Sequence, residues 1–109
     1  MKKLLMSAFI ASAFFANVSF AQGPGWTGVS TVKNIVVTYP GGINVSLSPG
    51  LTGCQSQSGY GATYASIMPS HPGKELFQSN LLTAQTTGKQ VKLYLGDDKC
   101  TVLEMILLP

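Results

Sequence analysis

The chain has 109 residues, of which only 10% are charged: seven lysines, no arginine, four acids and a single histidine. This is enough for one small domain and too little for two packed cores. The scarcity of acids and histidines argues against acid–base catalysis, and the lack of arginine removes the bidentate phosphate and guanine contacts of nucleic-acid readers.

The opening "MKKLLMSAFIASAFFANVSFAQ" has two lysines, a short apolar stretch broken by serines and Asn17, and then Ser19 and Ala21 at the small-residue positions of a cleavage site. This predicts a secretory signal peptide over residues 1–21 and a single mature domain over 22–109, with no membrane span once the signal is removed. Lys2 and Lys3 leave with the signal. Five lysines then face four acids, a net charge of +1, so the basic character belongs mostly to the leader and nucleic acid is not expected as a partner.

In the mature chain, "QGPGWTG" at 22–28 reads as a loose glycine-rich segment that Trp26 pins down. "VSTVKNIVVTY" is rich in β-branched residues and predicts a strand with both faces partly covered, Thr31, Lys33, Ile35, Val37 and Tyr39 on one and Val32, Asn34, Val36 and Thr38 on the other. "PGG" at 40–42 is a turn, and "INVSLS" pairs back as a hairpin with Ile43, Val45 and Leu47 inward and Asn44, Ser46 and Ser48 outward. A glycine-rich polar loop surrounds Cys54, and "ATYASIM" is the third strand. Ser70 and Pro72 suit the start of a helix over about 72–87, which stops at Gly88. There the apolar spacing changes from three and four residues (Phe77, Leu81, Leu82) to two (Val91, Leu93, Leu95), so "QVKLYL" is a strand. "GDDK" is a turn and "CTVLEMILLP" the last strand.

Three strands, a helix and two strands match the order of a five-stranded OB-fold-like Greek-key barrel (β-β-β-α-β-β). An open α+β sheet is the alternative. Cys54 and Cys100 are the only cysteines, and in an exported small domain they predict one disulfide closing a loop of 46 residues. A metal site or a catalytic thiol lacks support, since His71 is the sole histidine and no CxxC spacing occurs.

Candidate chemistry is sparse. His71 falls at the helix start, where a loop or capping role fits better than general-base work. The adjacent Asp97 and Asp98 fit a polar turn better than a metal pair, and Glu104 marks an exposed face or a subunit contact. No catalytic residue, metal or cofactor is expected, and the chain is read as a non-enzyme. Tyr60, Tyr64, Tyr94 and Trp26 offer apolar faces with polar tips, suited either to sugar stacking or to packing at sheet edges. The loop carrying Gln55, Ser56, Gln57 and Ser58 beside Tyr60 has the composition for adaptable hydrogen bonds to a glycan.

"GWTG", the stretch "KELFQSNLLTAQTTGKQVKLYL" and the leucine-rich closing strand resemble the binding (B) subunits of the subtilase cytotoxin and typhoid toxin group. The same helix-to-strand corner also resembles small exported bacterial proteins with no assigned function. The toxin resemblance implies an OB fold, a pentameric ring and recognition of sialylated glycans at the surface of cells. The serine that holds the sialic acid carboxylate in those subunits has Ser30 and Thr31 as its nearest hydroxyls here. The expected glycan site is therefore Ser30, Thr31, Gln55, Ser56, Tyr60 and Tyr64, in a periplasmic or secreted protein that forms homo-oligomers, with the polar helix face of Gln78, Asn80, Thr83, Gln85 and Thr86 lining the ring. A periplasmic structural module that docks another exported protein through its helix face or an edge strand is the alternative function.

Overall fold

The computed structural model describes residues 22–54 and 60–109; the expected signal segment 1–21 and the loop positions Gln55 and Ser56 lie outside the described residues. Six strands and one helix follow in the order β1 (Gly25–Trp26), β2 (Ser30–Val37), β3 (Ile43–Ser48), β4 (Tyr64–Ile67), α1 (Lys74–Thr87), β5 (Gln90–Leu95) and β6 (Val102–Leu107). β1 and β2 both run antiparallel along the same edge of β5, joined by Thr27, whose N–H donates to the Leu93 carbonyl and whose hydroxyl accepts the Leu93 N–H. They form one interrupted strand, so the sheet has five members. β2 pairs with β3, β3 with β4, and β5 with β6, all antiparallel. Around the far side a single parallel bridge joins Ser66 to Thr101, with the Ser66 N–H on the Cys100 carbonyl. This curled sheet, with a helix between its third and fourth members, is OB-fold-like.

Ile43, Val45, Leu47, Val91, Leu93 and Leu95 fill the barrel, each at 2% exposure or less. Strand β5 was legible from its alternation, and "QVKLYL" spans 90–95 as expected. Segment 22–28 is not simply loose: Gly25 and Trp26 pair with Leu95 and Tyr94. Strict alternation also fails on β2. A register shift between Val32 and Asn34 inserts Lys33 as an extra residue, so that Val32 opposes Leu47 while Ile35 opposes Val45, and both pack on the core despite their opposite parity.

Helix α1 buries Phe77, Leu81 and Ala84, an i, i+4, i+7 stripe, and ends where Gly88 takes φ 73° and donates its N–H to the Ala84 carbonyl. Its N-cap is Gly73 rather than the expected Ser70, and that residue makes no side-chain cap. His71 substitutes for a cap: its Nδ1 accepts the Gly73 N–H at 2.9 Å and its Nε2 meets the Leu103 carbonyl at 2.8 Å, which the neutral ring with its proton on Nε2 satisfies at both ends. The ring lies edge-on to Phe77 at 4.9 Å and so ties the helix start to β6.

Cys54 and Cys100 form the expected disulfide, with Cα atoms 5.3 Å apart. Cys100 has φ 64°, unusual for a residue with a Cβ. Asp97 brackets it, since its carboxylate accepts the N–H groups of Lys99 and Thr101 and the Thr101 hydroxyl. Burial pushes the Asp97 carboxyl up, but those bonds from Thr101 and Lys99, with the Lys99 charge, outweigh it and hold it below the ordinary value. No helix among the described residues is long and apolar enough to cross a membrane.

Candidate functional site

Strand β3 is the central member of the β2–β3–β4 face, paired along both edges. The alternation places Asn44, Ser46 and Ser48 on the side away from the core, yet Asn44 is 0% and Ser46 5% exposed. The expectation that they point to solvent is therefore corrected for these two residues, because strands on both flanks enclose them. The Ser66 hydroxyl donates to Asn44 Oδ1 at 2.7 Å in a buried bond. Ser46 differs: its Oγ is buried and has no hydrogen-bond partner among the described residues. A buried hydroxyl left without a partner costs about 1–3 kcal/mol, so its retention calls for an explanation.

Ser46 is the middle of a row. Asn34 opposes it on β2 and Tyr64 on β4, and all three line a cleft of about 310 Å³ with Lys33, Ser48 and Thr63. Two consecutive residues of one strand, Lys33 and Asn34, reach the same cleft because the bulge breaks the alternation between them. The carbonyl of Lys33 accepts the Gln85 side-chain amide at 3.0 Å, so α1 holds the bulge. Among the described residues, Lys33 is the only charged one lining this hydroxyl- and amide-rich concavity.

The expected site residues divide. Tyr64 lies in the cleft, and the Tyr60 ring is 6.0 Å from it in a tilted pair. Thr31 is beside it, opposite Ser48, and donates its hydroxyl to the Ser48 carbonyl. Ser30 is 4% exposed and its hydroxyl is shared between the carbonyls of Gly28 and Pro49, a structural role. Gln55 and Ser56 lie outside the described residues. The four aromatics singled out from sequence form two pairs: Tyr60 with Tyr64, and Trp26 with Tyr94, the latter edge-on at 5.2 Å with Lys92 Nζ 5.9 Å from the Trp26 ring. Sequence reasoning missed Lys33, Asn34, Ser46, Ser48 and Thr63. The hairpin register alone would have set Asn34 against Ser46, but nothing local signals the bulge that adds Lys33.

Among the described residues, no three His, Cys, Asp or Glu side chains gather closely enough to hold a metal. The class of protein that fold and cleft define is a small disulfide-bonded OB-like barrel with a polar surface cleft. No family model matches this chain, and no curated protein or solved structure matches it.

Proposed function

We propose that this chain is an exported, non-catalytic binding module that takes a carbohydrate in the β2–β3–β4 cleft. The observation that carries the reading is a concavity that offers the Asn34 amide, the Ser48 and Thr63 hydroxyls, the Lys33 ammonium and the Tyr64 side chain around the buried, unpartnered hydroxyl of Ser46. Sugars present dense hydroxyls on an apolar ring, and such a surface meets both halves of that chemistry. Folds of this class take oligosaccharides on the corresponding face, a fold-level analogy that adds weight without assigning the ligand. The resemblance to toxin B subunits makes a sialylated glycan the first candidate, with Lys33 as the cation for its carboxylate, and a homo-oligomeric ring the first candidate assembly. The leader-like start and the Cys54–Cys100 disulfide support a periplasmic or secreted location.

The test is a glycan array probed with the oxidised chain, followed by titration of any sugar that binds. Tyr64→Ala is expected to weaken the best ligand at least tenfold, about 1.4 kcal/mol. An array with no bound sugar of any class would remove the carbohydrate reading.

A further inference from the structure

Strand β6 pairs with β5 along one edge only. The Leu108 N–H donates to the Gln90 carbonyl, so in this antiparallel ladder Ile106 and Glu104 also turn their backbone groups toward β5, and Leu107, Met105 and Leu103 turn theirs away. The β5 side agrees: Leu93, opposite Met105, exchanges its N–H and carbonyl with Thr27 on its other edge. On the free edge His71 takes the Leu103 carbonyl, and the Met105 and Leu107 groups have no partner among the described residues.

That edge faces a groove of about 480 Å³. One wall is Leu76, Phe77 and Asn80 of α1, and the other is Glu104, Met105 and Ile106 of β6. The His71 ring, bonded to the Leu103 carbonyl, sets the start of α1 against this same free edge, with Met105 in the lining between its neighbours Glu104 and Ile106. Trp26, across β5 from Glu104, also lines it. Leu76 is 72% and Ile106 42% exposed, an apolar lining open to solvent beside unpaired backbone donors and acceptors. Among the described residues the only charge in the lining is Glu104, and it has no ion pair with any of them.

We infer that the α1–β6 groove binds an extended peptide segment of a partner protein, which adds as a strand to the Met105–Leu107 edge. Main-chain hydrogen bonds to the edge supply affinity for an extended backbone of any sequence. Apolar side chains at alternate positions meet Met105 on one face of the added strand, and a lysine or arginine on its other face meets Glu104 beside Ile106. This inference is independent of the carbohydrate reading, since the groove and the cleft share no lining residue.

A displayed library of random dodecapeptides selected on the full oxidised chain is the test. The enriched sequences are expected to alternate apolar residues, to lack proline in that stretch and to carry a lysine or arginine. Binding slows amide exchange at Met105 and Leu107 at least tenfold. Leu107→Pro removes an edge donor and no ladder bond, and Leu76→Glu changes an exposed helix position that does not affect folding. Each weakens the selected peptides at least tenfold, while Leu82→Glu, exposed on the same helix outside the groove, leaves them within twofold. Three outcomes overturn the inference: no enriched peptide family, peptides that bind Leu76→Glu as tightly as the parent chain, or self-association of the chain across this edge without peptide.

Discussion

On the β2–β3–β4 face the polar groups available to a ligand belong to side chains: Asn34, Ser48 and Lys33 project from strands whose backbones are paired. Along β6 the available groups belong to the backbone, at Met105 and Leu107, and the surrounding side chains are mostly apolar. The two regions come from one sheet and differ only in position within it. An interior strand has its main chain satisfied and can recognise only with what it carries outward, which favours a ligand with many directed hydroxyls. An edge strand recognises extended backbone and uses side chains only to select among sequences. A single barrel can therefore offer two unrelated kinds of site without competition between them.

The strongest challenge to this separation is removal of the covalent tie between the regions, because Cys54 stands at the foot of the loop that returns to the cleft and Cys100 at the turn that leads into β6. With a sequence separation of 46 between the cysteines, Cys100→Ala is expected to cost about 4 kcal/mol of unfolding free energy in the loop-entropy picture. Chemical denaturation of the oxidised parent and the variant measures it. If both regions belong to one cooperative unit, they are lost in a single transition; loss of the cleft alone, with β6 amides still protected, would divide them.

Ser46→Ala sharpens the comparison on the cleft side with two effects of opposite sign. Removing a buried hydroxyl that lacks a partner is expected to raise stability by about 1 kcal/mol. The same change should weaken a bound sugar, and leave peptides on the β6 edge unaffected. Thermal melts and sugar titration on one preparation check both, and a destabilised variant would show that the hydroxyl has a structural role instead.

Gln85→Ala has a smaller reach. Its amide holds the Lys33 carbonyl in the bulge at an exposed position, so a stability loss of about 0.5–1 kcal/mol is expected, with sugar affinity down about two- to fivefold through the displaced Lys33 and Asn34. Calorimetry alongside titration separates the two effects. The smallest effect is expected at Asp97. Its carboxyl is held below the ordinary 3.8, so its ionised form contributes stability that is fully present above about pH 4 and is lost as the pH falls through the lowered folded-state value. Melting temperature measured against pH should fall less steeply below pH 4 in Asp97→Asn than in the parent chain.

Most elements were legible because their signals are local. The period-two runs at 43–48 and 90–95, the glycine that ends α1 at 88 and the turn at "GDDK" each depend on neighbours within a few residues, and two cysteines in a small exported-type chain leave one pairing. The short β1 went unread because two residues carry no period. The helix cap was assigned to Ser70 rather than to the His71 ring, which takes its position from Leu103, 32 residues away. Tyr64 lines the cleft, and the Ser30 hydroxyl bonds the Gly28 and Pro49 carbonyls, placements that depend on residues distant in sequence.

Sequence alone determined most of the segments that extend or coil, the apolar face of β3, α1 and β5, and which sulfurs pair, because side-chain size, branching and spacing act over a turn or a pleat. The tertiary structure decided the bulge at Lys33, the enclosure of Ser46 between Asn34 and Tyr64, and the unpaired edge of β6 opposite α1. Those outcomes arise from curling the sheet until Ser66 meets Thr101, which sets the register and the covering of every strand at once and so leaves no mark on any one segment of the chain.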